Sequence, residues 1–80
     1  MHRPFETIEE VESFYGKEIS IQGKVAYIVG ARISRNKQLS IYIEFENFRE
    51  TIVSAKELFR IATTADNKPV GVSLWILYFV

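Results

Sequence analysis

The chain has 80 residues, with ten basic side chains balanced by ten acidic ones, 48% apolar residues and no cysteine. This is room for one small domain, too apolar for disorder, and without the ligands for a disulfide scaffold, a zinc–thiolate site or a thiol nucleophile. The one histidine, His2, sits beside the chain start, so a Ser-His-Asp triad with an internal imidazole is excluded, as are most histidine metal clusters.

A domain this small buries only roughly 60–65% of the surface its unfolded chain exposes. Self-association or a tightly packed core is the remaining route to stability. The opening residues contain no apolar segment of the signal-peptide kind. The apolar run from Val70 to Val80 falls well short of the roughly 20 residues a membrane helix needs. The expectation is a cytoplasmic protein with no membrane contact.

Phe5 to Tyr15 reads as a helix, because Phe5, Ile8, Val11 and Phe14 recur every three residues. Pro4 suits its first position and Gly16 its left-handed stop. From Ile19 to Ile33 the period changes to two, with Ile19, Ile21, Val25, Tyr27, Val29, Ala31 and Ile33 on one side. This is long for one strand, and Gly23 and Gly30 are the expected bends or bulges. Leu39 to Glu46 alternates cleanly, with Leu39, Ile41, Ile43 and Phe45 facing inward. Pairing the two apolar faces requires an odd-length loop of three or five residues within Ser34–Gln38.

Phe48 to Val53 is a poorer third strand, expected at an edge, with Glu50 on the side of Phe48 and Ile52. Ser54-Ala55-Lys56-Glu57 is a capping box that opens a second helix, stapled by Val53 and Leu58 and ending near Ala65. Asp66-Asn67-Lys68-Pro69 is a turn by composition. Val70 to Val80 is the last strand, which the helical crossover allows to run parallel to a neighbour. Trp75, Leu77 and Phe79 lie on one side of it, and Val72, Leu74, Ile76, Tyr78 and Val80 on the other. Both of its faces are apolar.

The order helix, two or three strands, helix, strand implies a single α+β domain over residues 1–80. Its two layers are a mainly antiparallel sheet of three or four strands and two helices on one face. A small curved β-barrel with helices is the alternative. The stretch from Gly16-Lys17-Glu18-Ile19 to Lys24-Val25 resembles the opening strand of small barrels such as the OB-fold, over a length too short to imply a function.

A two-layer fold covers one sheet face, and the last strand is apolar on both. Burial of each of Val72, Leu74 and Ile76 is worth about 1.5–3 kcal/mol relative to exposure. The strand is either central in a curved sheet, docked on a second copy, or part of a groove for another protein. The expected interface residues are Val72, Leu74, Trp75, Ile76 and Tyr78.

Candidate chemistry is sparse. Glu44 and Glu46 lie about 7 Å apart by strand rise, a spacing compatible with glycoside hydrolysis, but on a face that reads as solvated. The serines have no base to activate them, and Gly16, Gly23 and Gly30 match no phosphate-binding loop. No metal site or cofactor is expected. His2 reads as part of a disordered terminus.

From Ile19 to Ser40 the chain carries Lys24, Arg32, Arg35 and Lys37 and no acid. Lys24 and Arg32 are expected on one outer face, with Tyr42 near Arg32 and with Arg35 and Lys37 crowning the hairpin. Such a hairpin suits nucleic-acid phosphates and base stacking, or an acidic protein partner. Against strong phosphate binding stand Glu44 and Glu46 nearby and a balanced overall charge. Residues 1–18 carry a net charge of −3 and residues 19–40 carry +4, a polarity suited to docking copies or steering a partner. The function expected is that of a non-catalytic protein-binding module, a small inhibitor or accessory factor, forming a homodimer through its C-terminal strand. Nucleic-acid binding by the basic hairpin is the alternative.

Overall fold

The computed structural model describes residues 1–73. In chain order the elements are β1 (His2–Arg3), α1 (Ile8–Glu12), β2 (Glu18–Ile21), β3 (Lys24–Ile33), β4 (Leu39–Phe45), β5 (Glu50–Ser54), α2 (Ala55–Ile61), β6 (Ala62–Thr64) and β7 (Val72–Ser73). Five strands form one sheet in the order β5-β4-β3-β2-β6, and β1 and β7 form a separate two-stranded ribbon. Every pairing of these strands is antiparallel. The α+β class holds, with five strands in the main sheet rather than three or four. The sheet is not a closed barrel, because its edge strands β5 and β6 do not pair.

The first helix is shorter than the apolar spacing predicts. Its cap is Thr7, whose hydroxyl accepts from the Glu10 amide at 3.2 Å while the Glu10 carboxylate accepts from the Thr7 amide at 3.1 Å. This reciprocal capping box starts the helix at Ile8, three residues later than Phe5. Phe5 and Phe14 flank the helix and meet edge to face, 5.2 Å between ring centroids. Their three-residue rhythm with Ile8 and Val11 therefore reflects packing around a short helix. Gly16 has φ +82°, the expected left-handed stop.

The stretch 19–33 is two strands. Gln22 and Gly23 both have positive φ, 52° and 79°, so they form a two-residue turn of the type that matches strand twist. Ile21 and Lys24 are partners across it. A β-bulge between Ile28 and Gly30 then reverses which side chains face the core. Before it Ala26 and Ile28 are buried opposite Phe45 and Ile43; after it Ala31 and Ile33 face Ile41 and Leu39. Val25, Tyr27 and Val29 are therefore not the core positions that simple alternation assigns, and Val29 is 47% exposed. The β3–β4 loop has the odd length expected, the five residues Ser34–Gln38, and joins apolar Ile33 to apolar Leu39.

Phe48 belongs to the turn before β5, with φ 64° and 87% exposure. Glu50 and Ile52 face away from the core, and Val53 packs against it. β5 is the sheet edge, as expected. Ser54 caps α2 by accepting from the Glu57 amide at 3.1 Å, but the Glu57 carboxylate turns to Arg60 instead of completing a box. The helix ends at Ile61, because Ala62–Thr64 are drawn into pairing with β2. By helical rise α2 covers about 10 Å, whereas four strand spacings span about 19 Å. The sheet must curl for so short a helix to carry the chain from one edge to the other.

The core is one cluster that includes Phe5, Val11, Ile19, Ile28, Ile41, Ile43, Leu58 and Val70. Among the described residues no polar or charged side chain is buried. β7 pairs with β1 through Ser73–His2 and Val72–Arg3, so His2 is placed in a strand and not in a disordered end. The expectation that the last strand runs parallel to a neighbour fails for its described part.

Candidate interaction surfaces

Three transverse rows on the outer face of the sheet, set by the strand registers, hold its acidic, aromatic and basic residues. In the first, Glu18, Tyr27, Glu44 and Glu50 are successive partners across β2, β3, β4 and β5. Two residues along, Gly30, Tyr42 and Ile52 form the second row. Two residues further, Arg32, Ser40 and Ser54 form the third, and the loop beyond carries Arg35 and Lys37. Glycine at position 30 lets the Tyr42 ring lie across the strand: a Cβ there would meet Tyr42 Cδ2 at 3.3 Å. Ile52, the partner of Tyr42 on β5, is 59% exposed.

Four of the five residues of the basic hairpin share one end of this surface. Arg32 is diagonal to Tyr42 on the outer face, and Arg35 and Lys37 cap the same end. Lys24 is not with them. It begins β3 at the opposite end, and the intervening bulge puts it on the side of Ile21, opposite in facing to Arg32. Glu46 lies past the end of β4, so the carboxylates that face each other across strands are Glu44 and Glu50. The acidic row went unseen in the sequence because it is assembled from four strands. Only the registers bring Glu18 and Glu50 into line with Glu44.

Of the residues expected at a C-terminal interface, Val72 is half-buried against the core and pairs with Arg3. Leu74, Trp75, Ile76 and Tyr78 lie outside the described residues. At the base of β7 is a cleft of about 650 Å³, lined by Phe14, Lys17, Thr64, Pro69 and Ser73 among others. Gly71 is enclosed beside it: a Cβ there would lie 2.2 Å from the Arg3 carbonyl oxygen and 2.8 Å from the Phe59 ring.

One ion pair stands out electrostatically. The Arg3 guanidinium grips the Glu10 carboxylate with both terminal nitrogens, and the amides of Glu6 and Thr7 donate to the same carboxylate at 2.8 and 3.1 Å. The Arg3 hydrogen bond chiefly, then the amides and the arginine charge, lower the Glu10 pKa to about 2. Among the described residues no three His, Cys, Asp or Glu side chains converge as a metal site would require. No described helix is long and apolar enough to cross a membrane. No protein-family model, curated protein or solved structure matches the chain.

Proposed function

We propose that the chain is a non-catalytic interaction module that acts by binding another protein, with a second copy of itself as first partner, through the apolar run that continues from β7. The observation that carries this reading is the composition of residues 74–80, Leu-Trp-Ile-Leu-Tyr-Phe-Val, which hold no charge and in an extended conformation would be apolar on both sides. The buried apolar cluster of the described residues runs only from Phe5 to Val70. A contiguous apolar strand left in water is a docking surface in the ordinary physics of proteins. An inhibitor or accessory factor of a reducing, cytoplasmic compartment fits a chain with no cysteine.

Sedimentation of the full chain from low micromolar to near-millimolar concentration tests this. A concentration-dependent dimer is expected. Of Trp75→Glu and Ile76→Glu, one weakens association while circular dichroism stays native. A chain that stays monomeric throughout, or two variants that both unfold, refutes the reading.

A second reading is favoured by the shared end of Arg32, Arg35, Lys37 and the Tyr42 ring. Three cations beside an aromatic suit a single-stranded nucleic acid. Titration with a single-stranded oligonucleotide across salt separates the two, because phosphate binding falls steeply as salt rises.

A further inference from the structure

We infer that the outer face of the five-stranded sheet is a self-complementary docking surface on which a second copy of the chain lies in two-fold relation, acidic row against basic end. The three rows place opposite charges at opposite ends of one face. Glu18, Glu44 and Glu50 stand on one side of the Tyr42–Ile52 row, and Arg32 with Arg35 and Lys37 on the other. Arg32 and the acidic row are each two residues from the middle row, about 7 Å by strand rise.

A two-fold axis running along the middle row exchanges the flanking rows and turns the face over. It brings Arg32 of one copy over Tyr27 and Glu44 of the other, and does the same in reverse, which is the requirement of a contact that uses one patch on both subunits. Sheets stack about 10 Å apart, a gap that Tyr42 and the exposed Ile52 fill and that an arginine side chain spans. Within one chain, Glu44 and Glu50 are like charges directly across two strands, an arrangement that destabilises a sheet. A guanidinium from a second copy removes that repulsion. A nucleic acid or an acidic protein would engage the basic end and leave the acidic row unanswered. A second copy satisfies both ends at once.

None of the residues of this surface belongs to the run 74–80, so its test distinguishes the two contacts. Sedimentation at low salt is run on the full chain, on Arg32→Glu, on Glu44→Arg and on the double variant. Each substitution acts twice in a two-fold contact, so each single reversal weakens association by about tenfold or more, and the double variant recovers affinity to within about threefold of the parent. Arg32 is exposed and Glu44 partly so on the outer face, and circular dichroism is expected to remain native. Self-association unchanged in both single variants overturns the inference, whatever Ile76→Glu does. So does a double variant as weak as the singles, and so does a parent chain that stays monomeric at low salt.

Discussion

Glu10 gathers Arg3, the amide of Glu6 and the amide of Thr7 onto one carboxylate, and so ties β1 to the start of α1. Its pKa is lowered from 4.5 to about 2. A carboxylate held below its unfolded value adds stability above the unfolded pKa and loses it as pH falls through the folded one. Glu10→Gln is therefore expected to lower the urea midpoint by its full amount above pH 4.5, and the gap from the parent closes as pH falls through about 2. A gap that is constant from pH 7 to pH 2 contradicts this account. The acidic first turn was visible in the sequence, but the role of Glu10 was not. Pro4 drew the helix start three residues too early and hid the Thr7–Glu10 box. At position 71 the constraint is steric. Gly71→Ala pushes a methyl into the Arg3 carbonyl oxygen and the Phe59 ring, and is expected to cost about 1–3 kcal/mol in chemical denaturation. Gly30→Ala meets only the edge of the Tyr42 ring at 3.3 Å and is expected to cost less.

Among the elements, β3 depends most on a single residue. The bulge between Ile28 and Gly30 allows Ala26 and Ile28 to point inward on one side and Ala31 on the other. Deleting Val29 removes the extra residue and leaves Ala26, Ile28, Ala31 and Ile33 in one regular alternation opposite Phe45, Ile43, Ile41 and Leu39, so the same side chains face inward in the observed register with β4. The expected outcome is a chain that keeps its cooperative unfolding transition, read by circular dichroism on heating; loss of the transition contradicts the assignment of Val29 as the extra residue. Val29→Ala is expected to fold, since the side chain is half exposed. The same bulge explains what the sequence left obscure. Alternation by two was legible, and so was the odd loop between Ile33 and Leu39. A change of phase inside one apolar run was not, because Ile28 and Val29 are both apolar and either reads as a core residue. The turn at Gln22-Gly23 was hidden for a related reason. Gly23 was expected to bend the strand, and nothing beside it marked Gln22 as left-handed. In α2, by contrast, the Ser54 cap stood out clearly. What ended the helix at Ile61 was the distant partner β2, which no local pattern reports.

For the molecule as a whole, the α+β class and the antiparallel character follow from periodicity and element order. The strand order does not, since β6 is only Ala62–Thr64 and was read as the end of a helix. That short strand carries the chain to the far edge of the sheet from β5 and makes α2 a strap over a curled sheet. The outer surface behind it is therefore continuous across four strands, and its charge pattern belongs to the assembled sheet rather than to any one segment. His2 and Ser73 are partners at one end of a ribbon only two residues long, which joins the extremities of the described chain. Mechanical load applied between those two points peels the ribbon one rung at a time instead of shearing it. The tether opens before the larger sheet feels the pull, so under tension the protein is expected to yield first at its seam.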